Sequence, residues 1–189
     1  MIRILVIDFG CPNVPNLCNS LSFLGCLYIR RLPNDLDSLD FSTINGIILS
    51  GGPDSVTVND HNTIDSHILD MKIPILGICY GAQLIIKLKF GTVLTHHDKL
   101  SGWKTLMIDT NSPLYRNLYH EIYVYCKHDD IITCVPDEFK ITSYHCGKKV
   151  IMSFENEESK IYGVQYHPGV LDSKEGEIII INFVSICRN

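Results

Sequence analysis

The residues best suited to covalent chemistry lie in Pro74 to Gln83, PILGICYGAQ. There an apolar run enters Gly77-Ile78-Cys79-Tyr80-Gly81, a cysteine with glycine two positions to either side. A nucleophile held in a tight strand-to-helix turn needs that pattern, because side chains at the flanking positions would strike the strand or the helix. The start of a helix also carries positive potential, which predicts a thiolate-favouring setting for Cys79. Attack by sulfur on an amide or ester further needs a base and donors for the tetrahedral oxyanion. Among eight histidines, His167 stands out in Gln165-Tyr166-His167-Pro168. It follows a predicted strand, and the proline stiffens the next turn. Ser50-Gly51-Gly52-Pro53, also at a predicted strand end, can turn backbone N–H groups toward a ligand, or can be a tight turn and nothing more.

Short apolar runs alternating with helical spacing must position these groups. Strands are predicted at Ile2 to Ile7, Leu27 to Leu32, Gly46 to Leu49 and Ile73 to Ile78. Helices are predicted from Val14 to the capping Gly25, over Thr63 to Met71, and over Tyr80 to Lys89. That alternation predicts a parallel α/β sheet. The second half is richer in strand signals, at Thr92 to Thr95, Lys104 to Ile108, Glu121 to Cys126, Phe139 to Tyr144, Val150 to Phe154 and Ile161 to Gln165. A last helix has Ile179, Ile180, Phe183, Val184 and Cys187 on its apolar face. No repeat or linker divides the chain, and one domain over 1–189 is the expectation.

Composition narrows the function. The chain is 46% hydrophobic and 20% charged with a net charge of −5, which argues against nucleic acid as the main partner. Its apolar runs are too short to span a bilayer, and the first ten residues read as a strand, not a signal peptide. Eight cysteines without a CxxC pair, several inside apolar stretches, predict reduced thiols in a cytoplasmic protein.

Four segments, ILSGGPDSV from Ile48, PILGICYGAQ from Pro74, KHDD from Lys127 and IYGVQYHPGV from Ile161, resemble the class I glutamine amidotransferases in order and spacing. Tyr80 and the SGGPxSV form make the GMP synthetase type the nearer likeness. The resemblance covers essentially the whole chain. It implies a three-layer, flavodoxin-like α/β fold with a mostly parallel central sheet, a nucleophile elbow and a small additional β portion in the second half.

It also implies roles. Cys79 attacks the side-chain amide of glutamine and His167 carries the proton to departing ammonia. The N–H groups of Gly52 and Tyr80 hold the oxyanion. Gln83, Gly51, His128 and Asp129 bind substrate, and Asp130 lies near the partner-facing side. Ammonia would pass to an ATP-pyrophosphatase unit that aminates XMP, a separate subunit that carries the ATP and magnesium; no cofactor is expected on this chain. The family's third catalytic residue, a glutamate two positions after the histidine, is replaced here by Gly169, with Asp172 and Glu175 as nearby candidate surrogates. Pro12, Lys89-Phe90-Gly91 and Leu100-Ser101 depart from the pattern as well. The implied function is a glutaminase subunit with weakened catalysis. The alternatives are an inactive relative kept as a binding or regulatory subunit, and a stand-alone γ-glutamyl hydrolase.

Overall fold

The computed structural model describes residues 1–58, 60–146, 150–169 and 173–188, with 96–99 described by their backbone alone. Asp172 therefore lies outside the described residues. Four apolar segments form the centre of the sheet: β1 (Arg3–Ile7), β3 (Gly46–Leu49), β4 (Ile75–Ile78) and β9 (Ile161–Val164). Of these, β3, β4 and β9 are buried along their whole length, as strands covered on both faces must be. With the edge strand β2 (Leu27–Arg31) they pair in parallel in the order β2-β1-β3-β4-β9.

Beyond β9 the same sheet turns antiparallel through β8 (Ile151–Asn156), β6 (Glu121–Cys134), β5 (Thr92–Ile108) and β7 (Lys140–His145). The expected extra β portion thus joins the main sheet rather than standing apart. Its register with β9 matches Phe154 to Gly163, where an added Cβ would lie 2.1 Å from the Phe154 ring. Thr92–Thr95 and Lys104–Ile108 belong to one 17-residue strand whose pairing with β6 shifts between Thr95 and Leu100. A polar interval with such an irregularity hides a strand's continuity from period-2 reading.

The helices close the layers. Helix α1 (Val14–Phe23) and helix α3 (Lys174–Ile186) pack Leu17, Leu21, Ile180 and Phe183 into one core, while α2 (Tyr80–Leu88) packs Leu84, Ile85 and Ile86 into another. The expected helix over Thr63 to Met71 is a shorter 3-10 turn, Ser66–Asp70, where the Asp65 carboxylate accepts from the His67 N–H at 2.9 Å. Helix α3 starts where Ser173 accepts from the Gly176 N–H at 3.1 Å. None of the eight cysteines is in a disulfide.

Candidate active site

Cys79 stands between β4 and α2 with φ 52 and ψ −106, a left-handed backbone that a non-glycine residue adopts only under constraint. The constraint is visible on both sides. The Cys79 N–H donates to the Val164 carbonyl at 2.7 Å, and the Gly81 N–H to the Ser50 carbonyl at 3.1 Å. A Cβ at Gly77 would come 2.7 Å from the Ala82 nitrogen, and one at Gly81 would come 2.3 Å from the Leu49 carbonyl oxygen. The turn is therefore built for glycines and drives Cys79 out of the regular chain path.

The sulfur reaches across to the antiparallel half, 3.8 Å from the Lys127 carbonyl on β6. His167 approaches the same residue: its backbone N–H donates to the Tyr125 carbonyl at 3.0 Å, and its ring lies beside the Lys127 backbone. The Lys127 backbone on β6 is thus a neighbour to both thiol and imidazole. Both groups are neutral at rest. Burial, the largest cause, pushes the Cys79 thiol up to about 12; the Tyr80 N–H acts in the opposite direction, and Cys11, Cys126 and Asp130 add to the rise. The thiolate expected from the helix start is outweighed by desolvation. Burial likewise holds the His167 imidazole below its usual range.

Around this pair, Gly52 lies so close to Phe9 that a Cβ would sit 2.6 Å from the Phe9 carbonyl oxygen, and Gly51 lies 3.1 Å in the same sense from the His167 ring. These glycines leave backbone beside the site where any side chain would fill it. Tyr80 turns its ring toward Phe9, with centroids 5.0 Å apart, and its hydroxyl donates to the Asn62 carbonyl. Gln83 is buried and committed. Its amide donates to the Asp130 carbonyl at 2.9 Å and to Gln165 Oε1 at 3.0 Å. It braces β6 against the end of β9, a task its spacing from Cys79 does not reveal.

On β6 the side chains alternate. His128 and Asp130 are buried and Asp129 is exposed on the opposite face. The Asp130 carboxylate accepts from the Ser55 hydroxyl and from Thr95 at 2.8 Å, linking the loop after β3 to the antiparallel half. The Nδ1–H of His128 donates to the Asp130 carbonyl at 2.8 Å, which leaves Nε2 as a buried acceptor with no partner among the described residues. Burial, the largest cause, pushes His128 down to about 4, with the neighbouring His167 also opposing its charge.

The pattern of class-I glutamine amidotransferases matches residues 5–187. The chain belongs to that family. Within it, the glutamine-hydrolysing GMP synthase of Petrotoga mobilis is 40% identical over 188 residues, covering 99% of this chain and 36% of that protein. That of Borrelia garinii is 37% identical over 190 residues, covering 98% and 35%. The chain spans about a third of the length of these curated relatives. A solved structure from Thermoplasma acidophilum, described as one of the subunits of a GMP synthase, superposes with a TM-score of 0.84 at 26% identity, covering 100% of this chain and 94% of that one. PurLQS from Thermotoga maritima shares the fold, with a TM-score of 0.79 at 17% identity over 98% of each chain.

Three positions at or near places where the resemblance implies other residues have defined local geometry. Gly169 has no positive φ, and a Cβ there would meet Leu17 at 3.6 Å, an ordinary contact distance. Glu175 sits in the first turn of α3, where a carboxylate favours the helix start. Phe90 takes the left-handed position after α2 with φ 64, and the Gly91 N–H then closes onto the Ile86 carbonyl at 2.8 Å.

Proposed function

We propose that this chain is the glutaminase unit of a GMP synthase, releasing ammonia from the side-chain amide of glutamine. The single observation that carries the reading is the forced left-handed turn that brings the Cys79 sulfur to the Lys127 backbone, beside which the His167 ring also lies. As glutamine fills the site, the Cys79 thiol gives its proton to His167 and the sulfur adds to the amide carbon. The N–H groups of Tyr80 and Gly52 hold the oxyanion. The imidazolium then protonates the leaving nitrogen, freeing ammonia and a γ-glutamyl thioester, which water cleaves to glutamate and the free thiol.

Gly51 shapes the pocket beside His167, and the bare Nε2 of His128 accepts a hydrogen bond from the substrate. Gln83 acts by bracing Asp130 on the side near the partner, and Asp129, exposed on the opposite face of β6, is the remaining substrate-binding candidate. Gly169 supplies no acid to orient His167, so turnover is slow. The acceptor of the ammonia is a synthetase unit that holds ATP, magnesium and XMP. The relatives named as GMP synthases support this, being roughly three times as long as the chain. The place of action is the cytoplasm. No described helix is long and apolar enough to cross a membrane.

Ammonia release from glutamine, followed for the chain and for Cys79→Ala, tests the reading, together with labelling of Cys79 by diazo-oxo-norleucine. Release that disappears in the variant, with label on Cys79, is expected. Equal release in both, or label elsewhere, removes the catalytic reading and leaves the inactive binding relative that Gly169 favours.

A further inference from the structure

The Asp130 side chain closes a ring of hydrogen bonds that joins two parts of the molecule. Its Oδ2 accepts from the Ser55 hydroxyl and its Oδ1 from the Thr95 hydroxyl at 2.8 Å. Thr57 completes the ring, 2.7 Å from Ser55 and 3.1 Å from Thr95 between hydroxyl oxygens. Ser55 and Thr57 belong to the loop after β3, Thr95 to β5 and Asp130 to β6. Asp130 is buried while Thr57 and Thr95 are exposed, so the ring reaches from the interior to the rim. The backbone of Asp130 serves the candidate catalytic groups. Its carbonyl accepts from His128 Nδ1 at 2.8 Å and from the Gln83 amide at 2.9 Å, and the Gln83 N–H donates to the Cys79 carbonyl at 3.1 Å.

We propose that Asp130 is a positioning residue for the oxyanion: by holding Ser55 it sets where the Gly51-Gly52 backbone stands against the Cys79 elbow. The inference rests on the glutaminase reading above. Three observations carry it. First, the stretch from Ser50 to Ser55 is held at its two ends. At the near end the Ser50 N–H donates to the Ile7 carbonyl at 3.0 Å, and the Ser50 hydroxyl oxygen accepts from the Phe9 N–H at 2.9 Å. At the far end Ser55 is tied to Asp130. Second, the Gly52 N–H between these anchors has no backbone partner among the described residues. A stretch with two adjacent glycines has little stiffness of its own, so its anchors fix where that N–H lies. Third, Lys127, whose carbonyl is 3.8 Å from the Cys79 sulfur, is three residues from Asp130 on the same strand. Nucleophile and oxyanion loop are thus both referred to β6, which keeps the reacting groups in register. A carboxylate accepting two hydroxyls makes charge-assisted hydrogen bonds, the stronger kind, which suits an anchor partly open to water.

The test compares the unmodified chain with Ser55→Ala, Ser55→Thr and Asp130→Ala in two reactions: Cys79-dependent ammonia release from glutamine, and alkylation of Cys79 by iodoacetamide. Alkylation displaces iodide at a saturated carbon and forms no oxyanion, so it reads the thiol and its access alone. Ser55→Ala should lower kcat on the order of tenfold, less than the roughly 10²–10³ lost when an oxyanion donor is removed outright. KM and the alkylation rate should stay within about twofold, because the oxyanion exists only in the transition state. Ser55→Thr, which keeps the hydroxyl, should recover most of the loss. Asp130→Ala should resemble Ser55→Ala, and the double variant should be no slower than the slower single one, since both break one link. The backbone bonds of residue 130 to His128 and Gln83 do not depend on its side chain. If Asp130→Ala does not fold, the two Ser55 variants decide, because Ser55 is only half-buried and its substitution leaves the carboxylate in place. An unchanged kcat in Ser55→Ala overturns the role and spares the glutaminase reading. A fall in kcat matched by an equal change in alkylation also overturns it, since that is a general loosening of the site. If the unmodified chain releases no Cys79-dependent ammonia, the glutaminase reading fails and the role falls with it.

Discussion

Cys79 is a nucleophile stored as a neutral thiol. Its titration is pushed up to about 12 by burial, so thiolate grows only as pH rises toward that value. Iodoacetamide should therefore modify the exposed Cys134 first, with Cys79 lagging on the order of a hundredfold at neutral pH; mass spectrometry of the peptides checks the order. His128 gives a stability signature of definite sign. Its folded form resists protonation down to about 4 against an ordinary 6.5, so the unfolded chain binds the extra proton between those values. Stability is then complete above pH 6.5 and falls as pH drops through that window. His128→Gln keeps a donor for the Asp130 carbonyl and should flatten this slope. Thermal unfolding at several pH values, compared between the two proteins, measures it. At this scale the sequence shows identities and spacing well, as for Cys79 and His167, but not how desolvation sets their charge. The thiolate expected at the helix start is absent because potential was visible in the sequence and burial was not.

The elbow is the element on which the site depends, and its glycines differ sharply from the one at 169. A methyl group at Gly81 would press on the Leu49 carbonyl, a backbone atom 2.3 Å away that cannot swing aside. Gly81→Ala should cost about 2 kcal/mol or more, whereas Gly169→Ala, which meets Leu17 at ordinary distance, should stay within about 0.5 kcal/mol. Urea unfolding of both variants distinguishes them. The parallel strands and the elbow were readable because buried strands leave continuous apolar runs and strained turns leave glycines. The long strand Thr92–Ile108 was not, since polar residues and a register shift interrupt its alternation. The brace from Gln83 to Gln165 was also hidden, because a bond between residues 82 positions apart leaves no local pattern.

At the level of the whole molecule the nine strands among the described residues form one sheet with parallel and antiparallel halves joined through β8 and β9. Continuity of hydrogen bonding, with Phe154 seated over Gly163 at the join, predicts a single cooperative unfolding unit. The one tryptophan, Trp103, lies in the antiparallel half, stacked on Tyr123 with centroids 5.1 Å apart. Its fluorescence and the far-ultraviolet circular dichroism should therefore trace coincident denaturation curves; an earlier fluorescence transition would mean that the halves melt separately. The meeting of Cys79 with the Lys127 carbonyl has a consequence for dissection of the chain. The nucleophile is delivered by one half and its facing wall by the other, so a fragment ending before Thr92 would display a bare sulfur with no opposite bank. Reactivity here is a property of the seam, and neither half could inherit it alone.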